Sequence, residues 1–127
     1  MKIEIFTICD NAQAYGDKLI VVGPFTNIVG PELPISRPPF SVAVRLRYTP
    51  DECGLKEYNI GIRRPDGTDI FKPMQFQFEA DFKDSPLGVL NLNVNLPSVK
   101  FDQEGEYTVY LEGSGIALTQ TFYVDIE

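Results

Sequence analysis

The side chains with the widest chemical reach are missing or too few in this sequence. The chain has no histidine and only two cysteines, Cys9 and Cys53. Without imidazole there is no Ser-His or Cys-His nucleophile pair, and no zinc or iron site that uses histidine. Two thiolates do not complete a four-ligand metal site within one chain. Cys9 precedes Asp10, and a neighbouring carboxylate raises a thiol pKa instead of activating it. The pair is expected to be a buried strand-end cysteine followed by a turn-capping aspartate. Cys53 falls in a polar loop and is expected to be exposed. The acidic groups Asp66/Asp69, Asp81/Asp84 and Asp102/Glu104/Glu106 lack the D-x-D-x-D-G spacing of a single-loop calcium site and read as solvated turn residues. A carboxylate-pair hydrolase needs opposed carboxyls across a cleft, and no feature of the sequence marks one. The sequence therefore predicts a protein that is not an enzyme and that uses neither metal nor cofactor.

Three groups of residues are suited to binding instead. Gln75, Gln77 and Glu79 alternate with apolar residues, as do Asn91, Asn93 and Asn95. If the turn between them closes a direct hairpin, 79 faces 91, 77 faces 93 and 75 faces 95. The result is an amide-rich ladder that suits sugar hydroxyls, or simply the wet face of a half-buried sheet. Arg45, Arg47 and Arg63 share one face if strands 40–48 and 57–63 pair as a hairpin. Three guanidinium groups there suit a carboxylate or phosphate; Glu57 and Asp51 would otherwise offset them, or they guard an edge. Tyr110 and Tyr123 fall on the outward parity of the last two strands. Exposed tyrosines favour protein interfaces, while plain cross-strand pairing of such residues is worth about 0.2–1 kcal/mol.

These residues need strands to hold them, and the chain is patterned for strands. Leu90, Leu92, Val94 and Leu96 alternate with the asparagines, and Phe76, Phe78, Ala80 and Phe82 alternate with polar neighbours. The same period of two runs through 40–48, 58–63, 107–111 and 116–126. Shorter strands fit 2–9 and 18–23. Lys83-Asp84-Ser85-Pro86, Pro65-Asp66-Gly67-Thr68 and Gly113-Ser114-Gly115 are turn compositions. The stretch 24–39 holds five prolines, so it reads as an extended connection with an edge segment near 26–29. Any helix is a single turn within Asn11–Ala14. About eight or nine short strands at this spacing predict an all-β, immunoglobulin-like antiparallel β-sandwich, one domain over 1–127. Asp102-Gln103-Glu104-Gly105-Glu106-Tyr107 has the form of a tyrosine corner, with Tyr107 as its structural tyrosine.

Eleven basic against eighteen acidic residues give a net charge of −7. That balance opposes nucleic acid and an anionic membrane surface. No stretch approaches a spanning length and the start lacks a signal-peptide pattern, so a cytoplasmic location with reduced thiols is expected. The function expected is a protein-interaction or assembly module that uses an outer sheet face, by self-association or with a protein partner. The alternative is a small-ligand or carbohydrate-binding sandwich that uses the amide ladder or the proline-rich connection.

Two segments also carry a family resemblance. Phe6-Thr7-Ile8-Cys9-Asp10-Asn11-Ala12 and Gly16-Asp17-Lys18-Leu19-Ile20-Val21-Val22-Gly23-Pro24-Phe25 resemble the opening of an uncharacterised family of small bacterial β-sandwich proteins of unknown function. Its pattern is Cys-Asp-x-Ala followed by Gly-x-Lys-Leu-x-x-x-Gly. The resemblance implies an intracellular β-sandwich and imports no activity. The hairpin from Gly105 to Asp125 separately resembles the final hairpin of immunoglobulin-like domains.

Overall fold

The alternating pattern becomes strands almost everywhere it occurs. The computed structural model describes residues 1–80 and 88–127. Among these residues there are eleven strands: β1 (Lys2–Tyr15), β2 (Lys18–Pro24), β3 (Asn27–Gly30), β4 (Ile35–Arg37), β5 (Phe40–Tyr48), β6 (Gly54–Arg63), β7 (Met74–Ala80), β8 (Gly88–Leu96), β9 (Val99–Phe101), β10 (Gly105–Gly113) and β11 (Ile116–Ile126). The count exceeds eight or nine because β3, β4 and β9 have three or four residues each, too few for a period to register. The expected turn at 83–86, Phe82, and the carboxylates Asp81 and Asp84 lie outside the described residues.

The fold is all-β, a sandwich of two main sheets. One has the order β2-β1-β5-β8 and the other β3-β11-β10-β6-β7, while β4 and β9 form a separate pair. All pairings are antiparallel except β3 with β11, which is parallel and joins Tyr123 to Asn27 and Ile126 to Gly30. Inward residues of both sheets fill one core. Val42, Val44 and Leu46 come from β5, Ile60 and Ile62 from β6, Val109 and Leu111 from β10, and Phe122 from β11; all are essentially inaccessible. Apolar area removed from water stabilises by roughly 25 cal/mol per Å², so this layer is the main driving force. The Tyr48 and Tyr58 hydroxyls meet at 2.5 Å between the sheets, each satisfying the other inside the core.

Three sequence expectations are corrected. Residues 75–80 and 88–96 do not form a hairpin: β7 pairs with β6, and β8 pairs with β5 in the opposite sheet. Strands 40–48 and 57–63 likewise belong to opposite sheets. Alternation states which face of a strand is apolar, but not which strand lies beside it. Finally, Asn11–Ala14 is strand and not helix, because β1 continues through it in register with β2, Ala12 opposite Val21 and Ala14 opposite Leu19. The one described helical turn, of 3₁₀ type, is Pro50–Glu52.

Candidate interaction surface

Beyond Cys9, β1 stops following β5 and continues with β2 as a hairpin over the outer face of the four-stranded sheet. A second, smaller apolar cluster forms beneath it. Cys9, Ala12 and Ala43 are buried there, with Ile5, Leu19 and Val21 packed around them. Cys9 is fully buried, and its thiol lies 3.3 Å from the Asn11 carbonyl oxygen, to which it donates. Burial pushes the thiol pKa up, with the nearby Asp10 charge adding to the effect, so this cysteine is a packing residue and a poor nucleophile.

The polar residues of this face hold the hairpin down. Arg45 Nη1 donates to the Asp17 carbonyl oxygen at the hairpin tip at 2.7 Å, and to Asn91 Oδ1 at 2.8 Å. The Ala14 amide donates to Asn93 Oδ1 at 3.2 Å. Ser41 Oγ donates to Asn95 Oδ1 at 2.8 Å. Arg45 Nε also bonds Glu4 at 2.9 Å, and Arg47 lies 3.5 Å from the other Glu4 oxygen. The Arg45 hydrogen bond holds the Glu4 carboxyl below the usual range, and the Arg47 charge reinforces it.

The expected arginine face is therefore divided. Arg45 and Arg47 belong to this sheet and share Glu4, whereas Arg63 lies on β6 in the other sheet and pairs with Glu112 at 3.2 Å. The amide ladder is divided in the same way. Asn91, Asn93 and Asn95 face the hairpin and β5, while Gln75, Gln77 and Glu79 stand on β7, where the Gln77 amide donates to Glu57 at 3.1 Å. In both cases the strands lie in different sheets, so their outward faces point apart.

Tyr110 does point outward, but it is only 2% exposed. Its hydroxyl donates to Asp69 Oδ1 at 2.8 Å, and the Arg63 guanidinium sits 3.8 Å from its ring centre. Gly61 leaves space for that ring: a Cβ there would come 2.6 Å from Tyr110 Cζ. Burial, with the Asp69 bond, pushes the phenol up to about 12. The cover is the turn after β6. Asp66 accepts from the Thr68 amide and hydroxyl and from Gln103, and these bonds hold its carboxyl at about 2. Tyr110 thus does not join Tyr123 in one surface. Tyr123 is 45% exposed and bonds Glu106 at 2.8 Å. Tyr107 lies in the core beside Phe101 and Phe122. Its hydroxyl donates to the Gln103 carbonyl at 2.9 Å and accepts from the Gln103 amide at 3.2 Å.

Among the described residues, the β1–β2 hairpin presents three large apolar side chains to solvent. Tyr15 is 72% exposed, Ile20 50% and Val22 52%. Register places Tyr15 opposite Lys18, Gln13 opposite Ile20 and Asn11 opposite Val22, so the three share the face away from the sheet. β2 is also the terminal strand of its sheet, so among the described residues one row of its backbone groups has no strand partner. The sequence does carry a signal for this. Leu19-Ile20-Val21-Val22 is apolar on both faces, the pattern of a strand covered on both sides, yet only Leu19 and Val21 are covered within the molecule.

The two motif segments noted in the sequence are this hairpin and its hinge. Asp10 holds Arg37 at 2.6 Å, Ala12 is buried, and Gly23 takes φ +65° with the Asp10 carboxyl where a Cβ would stand. The pattern thus specifies a bent hairpin and its seat. No curated protein and no solved structure matches the chain. A family model described as a family of unknown function, DUF6941, matches residues 4–123, which include the whole hairpin and most of both sheets, and the chain belongs to that family.

Proposed function

We propose that the protein is a non-catalytic interaction module that self-associates through the free edge of β2. The observation that carries this reading is the coincidence of an unpaired strand edge with exposed Ile20 and Val22 on that same strand. An edge of this kind is a template for another strand. The segment Leu19-Ile20-Val21-Val22-Gly23 is centred on Val21. Antiparallel pairing of two copies about that residue sets Ile20 of one opposite Val22 of the other, as a two-fold interface requires. Tyr15 extends the apolar strip beside them. The result is a continuous eight-stranded sheet across two copies, twice the four strands of one.

The arginine and tyrosine surface first expected is not retained as the contact. Arg45, Arg47 and Arg63 all have carboxylate partners within the chain. The order β1-β5-β8 against β11-β10-β6 supports reading the sandwich as immunoglobulin-like, a scaffold used for many contacts and specific to none. The test is the mass in solution, by light scattering after size exclusion, of the natural chain and of an Ile20→Lys, Val22→Lys double variant. A dimer that the double variant converts to a monomer supports the reading. A natural chain that stays monomeric at high concentration contradicts it.

A further inference from the structure

At the side of the sandwich away from β2, an open cleft of about 560 Å³ lies between the start of β7 and the end of β8. Its size is within the range of small-molecule sites, roughly 300–1,000 Å³. One wall is Ile70, Phe71 and Met74, just before and at the start of β7. The other is Leu96, Pro97 and Val99, where β8 passes into β9. The walls belong to different sheets, so the cleft is a place where the core opens to solvent.

Two cations line this apolar cleft, Lys72 on one wall and Lys100 on the other, both exposed. Their state differs from that of the arginines. Arg37, Arg45, Arg47, Arg63 and Arg64 each have a carboxylate within 4 Å. Among the described residues, neither lysine has one. In a chain of net charge −7, two uncompensated cations on one apolar cleft form a local site of opposite sign. Among the described residues, no carboxylate lines it.

We propose that this cleft binds an amphiphilic carboxylate, an alkyl chain ended by a single carboxyl group. The tail lies against Phe71, Met74 and Val99, and the carboxylate is held between the two ammonium groups. Apolar walls supply affinity through removal of the tail from water, and the lysines select the sign of the head group. The site is separate from the β2 edge and stands whether or not the chain self-associates.

The molecule carries its own reporter. It has two methionines, Met1 and Met74, and only Met74 lines the cleft. With methyl-labelled methionine, octanoate should shift the Met74 methyl resonance in a saturable way and leave Met1 in place. Acetate, with no tail, and octyltrimethylammonium, with the opposite charge, should each bind far more weakly. Lys72→Gln and Lys100→Gln should each weaken octanoate about threefold, and together about tenfold, as expected for partly screened ion pairs. Both lysines are exposed, so these variants keep the fold, and an unshifted Met1 signal with an unchanged melting temperature checks that. The proposal is overturned if millimolar octanoate leaves Met74 unmoved. It is equally overturned if acetate or the cationic amphiphile matches octanoate, or if the double lysine variant binds octanoate as well as the natural chain.

Discussion

The two main sheets both carry arginine and polar residues outward, yet they are finished in opposite ways. The five-stranded sheet is closed by a polar turn. Asp66, Thr68 and Gln103 bond among themselves, and Asp69 takes the Tyr110 hydroxyl, so the cover ends in solvated groups. The four-stranded sheet is closed by a hairpin that has two apolar faces. Its inner face seals Cys9 and Ala43; its outer face leaves Tyr15, Ile20 and Val22 to solvent. A turn completes a surface, whereas a strand used as a cover brings a new edge and a new face with it. That difference is what favours the hairpin as the proposed contact, and it can be broken one element at a time.

The largest effect should come from the seat of the hairpin. Ala43 is inaccessible beneath it, so Ala43→Glu places an unpaired charge there and should cost about 3 kcal/mol or more, read from urea unfolding. The corresponding change on the other sheet is Gly61→Val, which pushes into the Tyr110 ring. Overpacking of that kind should cost about 1–3 kcal/mol in the same assay. Tyr110→Phe is milder, at about 1 kcal/mol for one hydrogen bond. Its pH dependence is the sharper readout. The folded state keeps this phenol neutral up to about 12. An unfolded tyrosine ionises near pH 10, so the stabilisation is complete below about pH 10 and is lost as pH rises through the folded value. Tyr110→Phe should flatten that alkaline decline.

The acid side tests the turn. Bonds from the Thr68 hydroxyl and amide, then from Gln103, hold Asp66 at about 2. Because an unfolded aspartate takes its proton near pH 4, this stabilisation is present above about pH 4 and is lost as pH falls toward the folded value. Asp66→Asn should make the fall in melting temperature over that window shallower. The smallest stability change should come from the hairpin's outer face. Read on the monomer, at protein concentrations too low for pairing, Ile20→Lys with Val22→Lys should move stability by no more than about 0.5 kcal/mol, since both side chains are about half exposed there.

Sequence patterning carried these elements unequally. The outward parity of Tyr110 and Tyr123 is real, and so is the inward burial of Leu90, Val94 and Leu96 in β8 and of Tyr107, Val109 and Leu111 in β10. The bonds between Tyr107 and Gln103 fall where the D-x-x-G-x-Y spacing puts them. Strand partnership was hidden, because a connection that turns within a sheet and one that crosses between sheets have similar lengths and compositions. The sheets consequently separate residues that share outward parity in the sequence: Arg45 and Arg47 from Arg63, and Gln75, Gln77 and Glu79 from the three asparagines. Covering was hidden too. Tyr110 and Ala43 read as outward residues, and they are outward, but a turn and a hairpin distant in sequence lie over them. The doubly apolar Leu19–Val22 run was the one local sign of an apolar outer face.

Amide hydrogen exchange along β2 tests the central claim most directly. In a lone chain, the amides of Lys18–Val22 that point away from β1 have no strand partner, so slow and fast exchange should alternate along the strand. If two copies pair through β2, the amides should be uniformly slow at high protein concentration. The alternation should return on dilution and in the Ile20→Lys, Val22→Lys variant. Alternating exchange at every concentration would contradict self-association through this edge.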